Sequence, residues 1–206
     1  MTLSTLRRAG IGSGLVLAAA LTFASHAFAQ ETPPAQQTPP PAQTDVGLGI
    51  KGIGARLGIV DPENASSVVT YGVHVDAGQI VKGLHLIPSL EYWNVGTDLA
   101  GYSTDINDLA FRLGLNFDFP LQGQRITPYL GGAFGWHHMK SESNVTVPPG
   151  TPDPNYSDDK FGFDLQGGAR NQFTPNLSMF GELGYSFVSD AAQLRLIGGL
   201  TYHFVY

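Results

Sequence analysis

The sequence predicts an all-β fold, a single eight-stranded antiparallel up-and-down transmembrane β-barrel, on three observations. Eight short segments alternate apolar and polar residues with a period of two. The breaks between them are by turns short and long. The polar phase of the alternation is built largely of glycine.

Composition bounds the answer first. The chain has 206 residues with 26 Gly, 14 Pro and no Cys, is 42% hydrophobic and 14% charged, and carries a net charge of −6. That is too apolar for disorder and too polar for a bundle of membrane helices. The acidic balance excludes a nucleic-acid-binding surface. The missing cysteines exclude disulfide scaffolds, thiolate zinc sites and Cys nucleophiles.

Residues 1–29 carry Arg7 and Arg8, an apolar run from Ile11 to Phe23, and the small-x-small ending Ala27-Phe28-Ala29. This is the layout of a secretory signal peptide, and the run is shorter than the roughly 20 residues a spanning helix needs. Cleavage after Ala29 removes two Arg and no acid, so −6 becomes −8. Residues 30–44, QETPPAQQTPPPAQT, hold five of the prolines and no apolar residue larger than Ala. They read as an extended Pro/Gln-rich periplasmic linker. The barrel domain follows at 45–206.

Strands are expected at about 51–60, 68–77, 83–95, 109–119, 126–139, 160–170, 176–188 and 194–206. Each is long enough for the roughly 9 to 11 residues of a tilted membrane-crossing strand. The fourth sets Leu109, Phe111, Leu113, Leu115, Phe117 and Phe119 against Arg112, Gly114, Asn116 and Asp118. In the last, Leu194, Leu196, Gly198, Leu200, Tyr202, Phe204 and Tyr206 oppose Gln193, Arg195, Gly199, Thr201 and His203. Pro88 inside the third strand removes a ladder donor, so a bulge is expected there. On the side of the termini the connections are short, such as 78–82, 120–125 and 171–175. On the opposite side a ten-residue loop from Thr97 and a roughly twenty-residue loop from Lys140 to Asp159 are expected.

Which phase faces in follows from volume and charge. Gly72, Gly114, Gly131, Ala133, Gly135, Gly162, Gly168, Gly184 and Gly199 occupy the polar phase, and an eight-stranded barrel has little interior space. Facing Arg56, Arg112 and Arg195 to lipid would cost about 2–4 kcal/mol each near the midplane. The polar phase therefore points inward. It brings Arg56, Arg112, Arg170 and Arg195 together with Asp76, Glu91, Asp118, Asp164 and Glu182, and with His74, His85 and His203. Of these, Arg56, Glu91, Arg112, Asp164, Glu182 and Arg195 are the expected lumen charge network. Its first reading is a salt-bridge filling, its second the selectivity ring of a narrow pore.

Trp93, Trp136, Tyr71, Tyr92, Tyr185 and Phe187 at one end, and Phe117, Phe119, Tyr202, Phe204 and Tyr206 at the other, are expected to form two aromatic girdles. The loops opposite the termini gather Asp61, Glu63, Asp98, Asp105, Asp108, Glu142, Asp153, Asp158, Asp159 and Asp190 against Lys140 and Lys160. Asp153, Asn155, Asp158 and Asp159 lie close enough to be a loose cation site, but the spacing is not that of an EF-hand loop, and no metal or cofactor is expected.

These residues resemble the OmpA/OmpX-type eight-stranded outer-membrane β-barrels of Gram-negative bacteria, over the signal, all eight strands and the ending LTYHFVY. The resemblance implies that the barrel-assembly machinery reads Leu200, Tyr202, Phe204 and Tyr206, with a terminal Tyr where Phe is commoner. It also implies a monomer in the cell outer membrane with lipid and lipopolysaccharide as neighbours. The implied role is structural, envelope-stabilising or surface-interacting, carried by acidic outer loops, with a narrow porin for ions or small solutes as the alternative. Some small outer-membrane barrels hydrolyse lipids with Ser, His and a carboxylate. The comparable residues here are His137, His138, Ser141 and Glu142, but His138 and Ser141 point to opposite faces of a strand, so no catalytic residue and no enzymatic activity is expected.

Overall fold

The computed structural model describes residues 46–63, 66–99, 102–143, 155–189 and 192–204; the signal and linker lie outside them. Eight strands follow in order: β1 (Gly47–Pro62), β2 (Val68–Val81), β3 (Leu84–Leu99), β4 (Tyr102–Asp118), β5 (Ile126–Ser143), β6 (Tyr156–Thr174), β7 (Leu177–Val188) and β8 (Gln193–His203). Each pairs with its sequence neighbours, and β1 closes antiparallel on β8 through pairs such as Ala55↔Leu200. Closure leaves no unpaired sheet edge, the condition for strands to cross lipid.

The alternation sorts the side chains as the phase argument requires. Ile53, Leu57, Leu130, Phe134, Phe161, Phe163 and Leu183 are exposed on the outer wall, whereas Arg195, Asp164, Asp108 and His137 inside have 0% exposure. Such a molecule is apolar outside and polar inside, the reverse of a water-soluble domain.

The strands run longer than apolar alternation suggests. Pairing of β3 with β4 continues to Leu99↔Tyr102, so the paired strands take up all but two residues of the ten-residue loop expected from Thr97. Between β5 and β6 the ladder reaches Ser141↔Tyr156, so the strands take up both ends of the loop expected from Lys140 to Asp159. The backbone ladder needs no apolar side chain, so strands persist beyond the lipid where the outer face turns polar, as at the Asn94↔Asn107 pair. With 19 residues, β6 is about 60 Å long at roughly 3.3 Å per residue. Even tilted, it exceeds a hydrocarbon core of about 30 Å.

The irregularity expected at Pro88 sits on one side of it. Pairing to β4 runs straight through Pro88↔Leu113. Toward β2 the register shifts between His74↔Ser89 and Gln79↔His85, five steps on β2 against four on β3, so the extra residue belongs to β2. Within that stretch Gly78 has φ +86° and donates its N–H to Asp76 Oδ1 at 3.0 Å. A Cβ at Gly78 would strike the carbonyl oxygen of Gly47.

Candidate functional site

Three arginines and three carboxylates from six strands form an alternating ring across the lumen. Glu91 (β3) meets Arg56 (β1) at 3.1 Å and Arg112 (β4) at 3.0 Å. Arg112 continues to Asp164 (β6) at 2.8 Å, and Arg56 to Glu182 (β7) at 2.6 Å. Arg195 (β8) joins the two ends, 3.6 Å from Asp164 and 3.7 Å from Glu182, and reaches across to Glu91 at 3.3 Å. The ring is electrically neutral, and each member is at most 7% exposed. Buried charges are tolerable only when paired in this way.

Glycines make the ring possible. Gly72 of β2 pairs with both Arg56 and Glu91, and a Cβ there would lie 2.9 Å from Glu91 Cγ. The bare strand lets the two charges meet above it. Gly184 gives the same room to the Arg195 guanidinium, and Gly199 to the Phe180 ring. The small residues of the polar phase are thus where the large lumen side chains lie down.

Further layers flank the ring. Toward the end away from the termini, His137 and Asp108 are joined at 2.8 Å, both with 0% exposure, and Gln193 reaches Asp108 at 3.4 Å. Asp108 therefore belongs to the lumen and not to the outer loop acids. Toward the termini, Tyr129 donates to Glu182 at 3.0 Å and packs with Phe180 and Ile197. Beyond them Arg170 pairs with Asp118 at 2.9 Å, Gln166 donates to Asn116, His74 contacts Thr201, and His85 stands 3.4 Å from both Asp76 and Asp118. A cavity of ≈ 20 Å³ remains between the ring and this mouth, lined by His74, Asn116, Tyr129, Arg170 and Phe180 among others. It has room for about one water.

Trp93 corrects the expected girdle: it is 4% exposed and points into the lumen. Adjacent residues on a strand face opposite ways, so Tyr92 and Trp93 cannot both meet lipid. Tyr71, Trp136, Tyr185 and Phe187 are exposed at that end, and Phe117, Phe119, Tyr202 and Phe204 at the other. Leu200 shares the outer face with Tyr202 and Phe204; Tyr206 lies outside the described residues.

The residues weighed for lipid hydrolysis are divided by the wall. His137 and Ser141 are buried inside, while His138 and Glu142 lie on the outer face. The carboxylate that reaches His138 is Asp159, at 2.7 Å from Nδ1. In the loose cation set, Asp159 is thereby engaged, Asn155 accepts the Ser143 N–H at 2.6 Å, and Asp153 lies outside the described residues. Among the described residues no three His, Asp or Glu side chains are grouped to hold a metal.

A family model described as an outer membrane protein beta-barrel domain matches residues 15–204. Neisserial surface protein A is 16% identical at a TM-score of 0.60, covering 77% of this chain and 99% of that one. A major outer membrane protein of Thermus thermophilus is 14% identical at 0.53, covering 75% and 98%. Ail, the attachment invasion locus protein of Yersinia pestis, is 15% identical at 0.49, covering 75% and 97%. No curated protein matches the sequence.

Proposed function

Since the chain belongs to the outer membrane protein beta-barrel family, we propose that it is a non-conducting, non-enzymatic barrel of the outer membrane. Its part in the envelope is structural or surface-interacting, carried by the acidic connections at the end away from the termini. That end faces outward and the linker lies in the periplasm. It works as a monomer among lipid and lipopolysaccharide, and is delivered by the barrel-assembly machinery through Leu200, Tyr202, Phe204 and Tyr206.

The neutral ring of Arg56, Glu91, Arg112, Asp164, Glu182 and Arg195 carries the non-conducting reading. A selectivity filter concentrates one sign of charge around water; here opposite signs alternate at ion-pair distances of 2.6 to 3.7 Å. Their combined bulk takes the space an ion would need.

Single-channel recording on the refolded mature protein in a planar bilayer tests it. The expected record is flat once insertion is shown by the heat-dependent gel shift. Reproducible steps whose ion selectivity changes in Glu91→Gln or Arg112→Gln would make the chain a narrow porin instead.

A further inference from the structure

The outer wall of β5 changes character in steps. Outward positions alternate along the strand, so Phe134, Trp136, His138 and Lys140 form one column, with neighbours roughly 7 Å apart. Phe134 stacks on Phe161 of β6 (centroids 5.6 Å, 22°), and Trp136 lies beside His138 at 6.2 Å. Cross-strand neighbours are Phe161 for Trp136, Asp159 for His138 and Ser157 for Lys140 on β6, and Leu109 and Asn107 for His138 and Lys140 on β4. The column thus climbs from an acyl-compatible ring pair through a girdle indole to an imidazole and an ammonium.

No other strand carries a cation at that height on the outer face among the described residues. The matching outward positions are Asp61 on β1, Val69 on β2, Asn94 on β3, Asn107 and Asp105 on β4, and Phe187 on β7. The second lysine of this end, Lys160, donates to the Ser189 carbonyl at 3.0 Å. Lys140 is exposed and makes no ion pair among the described residues. Asp159, opposite His138 on β6, is engaged by His138 Nδ1 at 2.7 Å. Glu142 stands one step higher, opposite Asp105.

We propose that the Trp136–His138–Lys140 column is a docking site for the phosphate of an outer-leaflet lipid headgroup, the lipid's chains lying over Phe134 and Phe161. The argument is positional. An imidazole and an ammonium stand directly above an aromatic girdle, where a bilayer presents its phosphates, on a rim that otherwise repels anions. The site rests on the reading that this end faces outward, which decides that the lipid is the phosphorylated glycolipid of that leaflet.

The mature protein, refolded in phosphatidylcholine vesicles, is titrated with diphosphoryl lipid A, and the midpoint of its heat-dependent gel shift is followed. The expected result is a rise in midpoint in the parent. In His138→Gln/Lys140→Gln the lipid A needed for half the rise increases at least about five-fold, from roughly 1 kcal/mol per cation near an anionic surface. Lys82→Gln, in the turn at the opposite end, responds like the parent. An unchanged response in the double variant, a rise produced equally by dephosphorylated lipid A, or one produced by inorganic phosphate alone overturns the site. Symmetric vesicles offer lipid A to both ends, so this holds whichever end faces out. Orientation is read separately: the chain has no cysteine, so Ser157→Cys on intact cells should react with an impermeant maleimide. A silent Ser157→Cys with a positive lipid A titration would overturn the outward reading and leave the phosphate site standing.

Discussion

At Glu91 three guanidinium groups converge within 3.3 Å. Glu91→Gln leaves Arg56, Arg112 and Arg195 facing two carboxylates, an excess of buried positive charge. Breaking a buried ion pair from one side costs about 3–5 kcal/mol, so this variant should lose that much in a urea titration in lipid vesicles. A double variant, Glu91→Gln with Arg112→Met, removes one charge of each sign and should recover part of the loss. Equal losses in the two would mean that packing, not charge balance, dominates. That these residues turn inward was legible from the two-residue period together with the small residues and the arginines of their phase. Which acid meets which arginine was not, because the contacts join residues up to 126 positions apart and depend on strand register. Asp108 was misplaced for a related reason: at the strand end Asn107 faces out and Ile106 in, and the apolar-out alternation that marks inward positions fades.

Elements carry their own tests. The β2 irregularity needs a left-handed residue at Gly78 and space beside the Gly47 carbonyl. Gly78→Ala meets both penalties and should cost about 1–2 kcal/mol or more. Gly83 also sits at positive φ (+84°), but nothing lies closer than 3.5 Å to its Cβ position. Gly83→Asn should therefore be nearly neutral, since Asn visits this region readily. Urea midpoints of the two variants check the contrast; similar losses would mean that φ, not crowding, sets the cost. Strand number, order and phase followed from the sequence because each strand repeats one signal. Strand ends did not, since the ladder outlasts the apolar pattern. Phe180 and Ile197 were missed as lumen residues because a lone apolar side chain in the polar phase reads as noise until Gly199 and Gly58 are seen to make room for them across the strands.

For the whole molecule the barrel is held at two surfaces of unlike chemistry, an outer wall that requires lipid and a charged lumen that requires complete pairing. The closed form should therefore resist detergent and migrate as a compact band until heated, and Gly199→Leu should abolish that band. Its side chain would invade the Phe180 ring and the Ala55 carbonyl together. A compact band in Gly199→Leu would mean that the lumen has slack near β8.

The ring also dictates an order of events. Arg56 lies on the first strand and Arg195 on the last, and their carboxylates lie on strands between. A sheet with β1 and β8 still apart can set Arg56 against Glu91 and Arg195 against Asp164 and Glu182, yet the Arg56–Glu182 and Arg195–Glu91 contacts span the open edges. Closure is the moment at which those two contacts form, so the seam between the chain's two ends acts as a latch. An unclosed sheet would hold its charges in lipid with these contacts unmade, and the energetic penalty for leaving the latch open falls on assembly itself.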